Sequence, residues 1–312
     1  MANVPVSSVF VGRGGELATL LEAVTEPRVR AVLVTGEAGI GKSRLVTEFG
    51  ARLSADTLVL IGRCPEFGNE GVPFAPFIAV MRGLIRAYGA DALTALLPGV
   101  HPALARWLPD LATETPTVED EYDRLRLFGE LLTLIERLAS TRPLVLILED
   151  LHWADDSSRE LLAFLVANLA EPNVLLVATF RPAGPPALRR LVAELRRSPA
   201  VRVLEPEPFT RHEVGRQLAA LLDREPEPRL TGRVFARSAG NPLFVEALSH
   251  APEETPAGLT ELLLAAQAGL GVDARTALQV AAVAGSPVEH DLLEAAADIP
   301  APRLRAALRE LI

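Results

Sequence analysis

An eight-residue segment near the start of the chain has the residue types needed to hold a chain of phosphates. It runs from Gly36 to Ser43 and fits the pattern G-x-x-x-x-G-K-[ST] at every fixed position. An apolar strand is predicted directly before this segment and a helix directly after it, which is the context that the pattern requires. We therefore predict a phosphate-binding loop here, in preference to a glycine-rich turn without a ligand.

Each residue type in the loop has a chemical reason. Glycines let the backbone wrap around phosphates, and amide groups at a helix N-terminus point toward the anion. Lys42 is expected to reach the terminal phosphates, and the hydroxyl group of Ser43 is expected to bind Mg²⁺. The nucleotide-binding residues predicted in this segment are Gly36, Glu37, Ala38, Gly39, Ile40, Gly41, Lys42, Ser43 and Arg44.

The composition of the chain singles out the same loop. Lysine and arginine together number 31, and Lys42 is the only lysine among them. A compact ammonium group fits among phosphate oxygens, whereas a planar guanidinium group does this poorly. The one lysine thus stands where phosphate binding needs it.

Two acidic residues follow another predicted strand. Glu149 and Asp150 come directly after an apolar run and would lie at the C-terminal end of that strand, where ligands bind in open α/β sheets. One acid would hold Mg²⁺ and the other would orient the attacking water, and the sequence leaves open which does which. A solvated strand end is the alternative, but the order of these acids after the phosphate-binding loop favours the metal site. The metal ligands predicted are Ser43, Glu149 and Asp150.

A third strand is followed by a hydroxyl group and a cation. Thr179 or Arg181 would sense the γ-phosphate from this neighbouring strand, because arginine commonly binds phosphate. A plain surface arginine is the alternative interpretation. The residues predicted to act in catalysis are Lys42, Glu149, Asp150 and Arg181.

The elements that must position these residues can be read from the hydrophobic pattern. Short apolar runs alternate with helical patterns, which predicts an α/β fold with a five-stranded parallel sheet. The strands are expected over residues 30–35, 58–63, 144–149, 174–179 and 201–204. A mostly helical insertion over about 73–140 separates the second strand from the third. After the fifth strand only helices are expected.

The same pattern divides the chain into three domains. We expect the phosphate-binding domain over 1–206, a helical domain over 207–255 and a smaller helical domain over 256–312. Thr210 and Glu213 have the spacing of a capping box at the start of the second domain. The last helix reaches the end of the chain without a stop signal, so we expect the chain to be a fragment of a longer protein.

Bulk composition excludes several classes of function. A net charge of −9 argues against a general attraction to nucleic acid or an anionic membrane. Neither a signal peptide nor a membrane-spanning run is recognised, so we expect a cytoplasmic protein without a membrane partner. Cys64 is the only cysteine, which rules out a disulfide within the chain and predicts a buried or half-buried thiol.

These motifs together resemble the nucleotide-binding module of STAND ATPases, and most closely the large ATP-binding regulators of the LuxR type from actinomycetes. The resemblance covers essentially the whole chain. The segments that carry it are Phe10 to Arg13, Gly36 to Ser43, Gly62 to Cys64, Leu148 to Asp155, Ala178 to Arg181 and Ser238 to Glu246.

The resemblance implies a P-loop NTPase fold of the AAA-like kind, with a helical lid over 207–255 and a partial winged-helix domain over 256–312. It implies ATP or ADP with Mg²⁺ as the ligand. Val11, Gly12 and Arg13 are expected to bind the nucleotide, the first two at the adenine pocket, and Pro242 to touch the base from the lid. Arg181 would be the sensor residue.

The resemblance also implies a function. ATP binding or slow hydrolysis would switch the molecule between closed and open states. The partners would be the adenine nucleotide, the missing C-terminal domains of the same protein and further copies of the chain on activation. DNA would be bound only through an absent helix-turn-helix domain. Relatives often carry aspartate where this chain has Glu149, which leaves turnover open.

Two other functions remain as alternatives. A P-loop kinase or phosphotransferase would share the loop, and a DNA-loading AAA ATPase would share the sheet, although acids outnumber arginines after residue 272. GTP is disfavoured, because the guanine-reading Asn-Lys-x-Asp element needs a second lysine. His152 and Trp153 are expected to be structural, with the histidine capping a backbone group. A solvated face is preferred for the arginine patch, which consists of Arg189, Arg190, Arg196 and Arg197.

Overall fold

The computed structural model describes residues 9–66, 72–89, 121–249, 264, 267, 270–284 and 288–311, with backbone alone at 121–123. The elements in chain order are α1 (Gly14–Thr25), β1 (Ala31–Thr35), α2 (Lys42–Arg52), β2 (Leu58–Arg63), α3 (Ala75–Tyr88), α4 (Glu121–Ala139), β3 (Leu144–Glu149), a 3₁₀ turn (Leu151–Trp153), α5 (Asp156–Asn168), β4 (Val174–Phe180), α6 (Pro186–Leu195), β5 (Val201–Leu204), α7 (Arg211–Leu222), α8 (Pro228–Ser238), α9 (Pro242–Leu248), α10 (Val272–Ala284), α11 (His290–Ala297) and α12 (Ala301–Leu311).

The five strands form one sheet in the order β2-β3-β4-β1-β5, and every pair is parallel. The predicted α/β class and the five-stranded parallel sheet are therefore confirmed. Strand β1 begins one residue later than predicted, at Ala31, and β4 ends one residue later, at Phe180. Strands β1, β3 and β4 are buried along their whole length, as expected for a parallel sheet covered on both faces.

Two apolar clusters hold this sheet between layers of helices. Residues of α1 and α2, such as Leu20 and Phe49, pack on one face. Residues of α3 to α6, such as Phe77, Leu131 and Leu161, pack on the other face. Because β4 lies between β1 and β3, the C-terminal ends of these strands meet at one edge of the sheet. The phosphate-binding loop, the two acids and the sensor residues follow those ends.

Helices α7 to α9 form a separate unit, which we call the three-helix unit (residues 209–248). Its core contains Phe209, Leu218 and Val245, and Val11 joins it from the N-terminal segment. The predicted capping box at Thr210 is present. The hydroxyl group of Thr210 accepts a hydrogen bond from the backbone N–H of Glu213, and the carboxylate of Glu213 accepts one from the backbone N–H of Thr210. These two bonds fix the start of α7.

Helices α10 to α12 enclose a smaller core around Leu293, Ile299 and Leu304. In the part of the chain that the structure describes, no strand follows β5. The middle of the helical insertion, 90–120, and most of residues 250–269 lie outside the described residues. The described helices include none with the length and apolar character needed to cross a bilayer.

The arginine patch lies on and just after α6. All four of its side chains are exposed, as a solvated face requires. Arg189 also donates to the carbonyl oxygen of Gly184 at 2.7 Å, which ties the start of the helix to the preceding turn.

Candidate functional site

A cavity of about 380 Å³ lies where the phosphate-binding loop meets the three-helix unit. Its size is within the range of sites that hold small molecules. Its described lining consists of Val9, Phe10, Val11, Arg13, Ala38, Gly39, Ile40, Gly41, Lys42, Ser43, Arg44, Asp150, Arg181, Phe209, Gln217, Pro242, Leu243 and Glu246. The structure thus brings most of the predicted nucleotide-binding residues together on one surface.

The phosphate-binding loop connects β1 to α2, and Lys42 is the first residue of that helix. Gly39 and Gly41 have φ angles of 77° and 98°, a left-handed conformation that favours glycine. The loop therefore turns sharply and opens the N-terminus of α2 onto the cavity, where backbone N–H groups and the helix dipole favour an anion.

The side chain of Lys42 is buried and lies over its own loop. Its Nζ donates to the carbonyl oxygens of Gly36 at 2.6 Å and of Glu37 at 2.8 Å. Burial lowers the pKa of Lys42 to about 8, with a further contribution from the positive charge of Arg181. Gly36 and Glu37 do not line the cavity themselves, but their carbonyl groups hold the ammonium group beside it.

The two consecutive acids have different surroundings. Asp150 lines the cavity, whereas Glu149 is buried beside it and accepts a hydrogen bond from Nε of Arg63 at 3.0 Å. Burial, and then the neighbouring charge of Glu149, raise the pKa of Asp150. Asp150 also has a left-handed backbone with φ of 62°, which is uncommon for a residue with a side chain. Of the two predicted metal-binding acids, the structure brings only Asp150 to the cavity wall.

The two sensor residues also separate. Arg181 lines the cavity. Thr179 is fully buried, and its hydroxyl group accepts a hydrogen bond from the backbone N–H of Asp150 at 3.0 Å. Thr179 therefore bonds to the backbone of Asp150 and stabilises the left-handed conformation of that residue.

Oxygen atoms on the cavity wall fit Mg²⁺. Ser43 and Asp150 both line it and offer a hydroxyl and a carboxylate oxygen. Within the described ranges, no group of three or more His, Cys, Asp or Glu side chains could hold a metal ion by itself. Mg²⁺ is usually held by one or two protein oxygens together with phosphates and water, so this donor set fits it when a nucleotide is bound.

The N-terminal segment supplies another part of the cavity wall. Arg13 is buried, and its guanidinium donates to Glu16 at 2.9 Å, to the carbonyl oxygen of Ile40 at 3.0 Å and to the carbonyl oxygen of Glu207. It also lies over the ring of Phe209, 4.8 Å from the centroid. Arg13 therefore connects α1, the phosphate-binding loop and the segment before α7.

Gly12 differs from its neighbours because it does not line the cavity. Its φ angle is 62°, and a Cβ atom there would collide with the carboxylate of Glu213 and lie 3.3 Å from the ring of Phe209. Gly12 thus allows the N-terminal segment to pack closely on the three-helix unit.

The three-helix unit is bonded directly to the phosphate-binding loop. Nδ2 of Asn241 donates to the carbonyl oxygen of Ala38 at 2.9 Å, and the backbone N–H of Leu243 donates to that of Gly39 at 3.3 Å. A Cβ atom on Gly39 would lie 2.7 Å from Cβ of Leu243. Pro242 is held against the loop between these two contacts and lines the cavity.

The sequence did not identify every residue of the wall. Those missed are Val9, Phe10, Phe209, Gln217, Leu243 and Glu246. Phe10, Leu243 and Glu246 lie within segments that carry the family resemblance, which was a usable signal. Gln217 lies in the middle of an amphipathic helix, and only the packing of that helix brings it to the cavity.

His152 differs from expectation. The side chain is 8% exposed, and neither ring nitrogen has a hydrogen-bond partner in the described part of the protein, so the predicted backbone cap is wrong. Burial, and then the positive charges of Arg181 and Lys42, lower the pKa of His152 to about 4. The ring centroid of Trp153 lies 5.1 Å from that of His152, and its side chain packs against the core, which agrees with the predicted structural role.

Comparison with protein families and with curated sequences identifies related chains. The family described as "AAA ATPase domain" matches residues 9–177. An uncharacterized protein of Rhizobium meliloti (strain 1021) is 30% identical over 196 residues, which cover 55% of this chain and 18% of that protein. The chain thus spans less than a fifth of the length of this relative.

Solved structures share the fold at low sequence identity. A Walker-type ATPase of Pyrococcus abyssi has a TM-score of 0.60 at 17% identity, covering 97% of this chain and 89% of that one. The ORC2 protein of Aeropyrum pernix has a TM-score of 0.57 at 13% identity, with coverages of 100% and 88%. A STAND protein with a tetratricopeptide repeat sensor, from Pyrococcus horikoshii, has a TM-score of 0.51 at 18% identity, with coverages of 98% and 40%.

Proposed function

The chain belongs to the family of AAA ATPase domains, and from this premise we propose that it binds ATP with Mg²⁺ in the cavity and acts as a nucleotide-dependent switch. The observation that carries the proposal is the composition of the cavity wall. Lys42, Asp150 and Arg181 line it together with apolar residues of the N-terminal segment and the three-helix unit, such as Val11 and Phe209. A cavity with both charged and apolar lining suits a triphosphate joined to a base.

The charged lining has groups for each part of the phosphate chain. The amides at the start of α2 and the ammonium group of Lys42 would bind the phosphate oxygens. Arg181 would contact the terminal phosphate from β4. Ser43 and Asp150 would hold Mg²⁺, which neutralises charge on the phosphates when bound. Glu149, paired with Arg63, would act on water or metal only after leaving that pair, and we therefore propose slow hydrolysis.

The contacts between the loop and the three-helix unit support a switch. Asn241 and Leu243 bond to backbone groups of the same loop that would hold the phosphates. A change in that loop on nucleotide exchange would therefore change these bonds. We propose that the three-helix unit is a lid whose position over the cavity depends on the bound nucleotide.

The wider biological role is also a proposal. The similarity to a much longer STAND protein, together with the motifs described above, supports a module within a larger cytoplasmic regulator of the LuxR type. In that arrangement, α10 to α12 would form part of a winged-helix domain. DNA would be bound through a helix-turn-helix domain elsewhere in the regulator, and copies of the chain would associate on activation.

Nucleotide titration tests the central claim. We expect Lys42→Ala to weaken ATP binding at least about 10-fold, because removing a charged hydrogen-bond donor costs about 1.5–3 kcal/mol. Arg52→Ala is a matched control, since it removes an exposed cation from the same helix. Equal ATP affinity in the wild type and in Lys42→Ala would contradict the proposal. Release of free phosphate in step with ADP, without phosphorylated metabolites, would separate an ATPase from a phosphotransferase.

A further inference from the structure

Gln217 has an unused acceptor at the cavity. The residue lies on α7, lines the cavity and is 3% exposed. Its Nε2 donates to the carbonyl oxygen of Pro242 at 3.1 Å and to Oε1 of Glu246 at 3.2 Å. Its Oε1 is buried without a hydrogen-bond partner in the part of the chain that the structure describes.

The orientation of this amide group is fixed by chemistry. The carbonyl group of Pro242 can only accept a hydrogen bond, so the atom of Gln217 that faces it must be the NH₂ nitrogen. Both hydrogens of that nitrogen have an acceptor, one in Pro242 and one in Glu246. What remains for a ligand is the acceptor Oε1.

A buried acceptor without a partner costs free energy, and native proteins contain few of them. One explanation is that the partner arrives with a ligand. The place of Gln217 on the cavity wall supports this explanation, because a molecule bound there would lie against α7. A donor on that molecule would form a hydrogen bond with Oε1 and remove this unfavourable free energy.

Gln217 lies in the part of the cavity wall that the three-helix unit supplies. Its bonded neighbours Pro242 and Glu246 belong to α9, and Phe209 lies at the start of the same unit. Lys42 and Asp150, by contrast, follow the ends of β1 and β3. In the proposed binding mode, the phosphates lie near Lys42 and the base lies against the wall that includes Gln217.

We propose that Gln217 is a specificity-determining residue that reads the base, with its Oε1 accepting a hydrogen bond from the N6 amino group of adenine. This inference rests on the proposed function, in which the cavity binds ATP. The N6 amino group is the only hydrogen-bond donor on the adenine base of ATP. Guanine and hypoxanthine carry a carbonyl oxygen at the equivalent position, and two acceptors facing each other repel.

The test compares two triphosphates that differ only at this group. ATP has the N6 amino group, whereas purine riboside triphosphate has a hydrogen there. Affinities of both would be measured for the wild type and for Gln217→Met, which keeps the approximate volume without an acceptor. Gln279→Met is the matched control, because it makes the same change at an exposed position on α10.

The wild type is expected to prefer ATP over purine riboside triphosphate by about 5- to 50-fold, the range for one hydrogen bond to a buried acceptor. The ratio is expected to fall to about one in Gln217→Met and to stay at the wild-type value in Gln279→Met. The ratio cancels any general weakening of binding. The wild-type arm needs no variant, so it tests the inference even if Gln217→Met does not fold.

Three results would overturn the inference. The first is a wild-type ratio near one. The second is a large preference for ATP over purine riboside triphosphate that persists in Gln217→Met, because another group would then recognise the amino group. The third is tighter binding of GTP than of ATP that depends on Gln217. In each case a triphosphate still binds, whereas failure of both ATP and purine riboside triphosphate to bind would overturn the proposed function itself.

Discussion

Arg63 and Glu149 stand opposite each other on neighbouring strands, and Nε of Arg63 donates to Oε1 of Glu149 at 3.0 Å. The glutamate side chain is 3% exposed and the arginine side chain is 71% exposed. The buried carboxylate is thus neutralised from the edge strand β2. Asp150, the next residue, is left as the acid that reaches the cavity.

Removing Arg63 is expected to destabilise the protein through Glu149. Arg63→Ala leaves a buried carboxylate without its cation, and we expect a loss of about 1–2 kcal/mol in the free energy of unfolding, since solvent partly screens the exposed arginine. Urea denaturation measures this. Arg52→Ala breaks a salt bridge to Glu48, a carboxylate that is 24% exposed, and should cost less than about 0.5 kcal/mol. Restoration of stability in Arg63→Ala/Glu149→Gln would support this cause, and equal losses in both arginine variants would refute it.

The two acids are expected to differ in their dependence on Mg²⁺. Asp150→Asn should lose most of the gain in ATP affinity that Mg²⁺ provides, at least about 10-fold, because it removes a charged ligand from the cavity wall. Glu149→Gln should lose less, since its side chain faces Arg63. Calorimetric titration of ATP with and without Mg²⁺ measures both. The opposite order would show that Glu149 leaves Arg63 to hold the metal.

Gly39 is expected to be needed for closure of the three-helix unit. In Gly39→Ala, the new methyl group would overlap Leu243 and would require an unfavourable φ of 77°. We expect faster hydrogen exchange at the Leu243 amide, which bonds to the Gly39 carbonyl oxygen, and weaker ATP binding, by about 10-fold or more. Gly15→Ala is the control, because its Cβ would meet open space. Unchanged exchange at Leu243 would count against the closure.

His152→Phe is expected to stabilise the protein without nucleotide. The change removes two buried nitrogens that have no hydrogen-bond partner in the described structure, a gain of about 1–2 kcal/mol if the larger ring fits. Thermal unfolding measures the gain. His212→Phe, at an exposed position, is the matched control and should change little.

The advantage of His152→Phe should depend on pH in a defined direction. The pKa of His152 is about 4 in the folded protein and about 6.5 in an unfolded chain. Between these values the unfolded chain binds a proton that the folded chain does not, so the wild type loses stability as the pH falls from 6.5 to 4. The variant lacks this loss, and its advantage should grow over that window and stay constant above it. An advantage that does not change with pH would contradict the lowered pKa.

Cys64 is expected to resist thiol reagents in the native protein. The thiol is buried, and burial together with the charge of Asp150 raises its pKa to about 12. Because the thiolate is the reactive form, alkylation at pH 8 should be slow until denaturant exposes the residue. Mass spectrometry of the labelled chain measures the rate, and rapid labelling without denaturant would contradict the burial.

Local sequence patterns predicted much of the fold and part of the site. The motif from Gly36 to Ser43 and the apolar strands are continuous in the chain, and the parallel sheet then brings the strand ends to one edge. The different surroundings of Glu149 and Asp150 were not predictable, because they depend on the register of β2 against β3. Gln217 was not predictable either, since α7 had to pack against α9 before its role became visible. The unpaired nitrogens of His152 depend on packing between distant segments.

Lys42, the only lysine of the chain and the first residue of α2, makes opening of the phosphate-binding loop measurable in solution. A protease that cleaves only after lysine has one bond to cut in this chain, between Lys42 and Ser43, and would yield the fragments 1–42 and 43–312. Cleavage must wait until the loop leaves its closed form, because a protease needs an extended, accessible backbone. The rate at which the two fragments appear would therefore report how often the loop opens. A bound molecule that holds the loop closed would lower that rate.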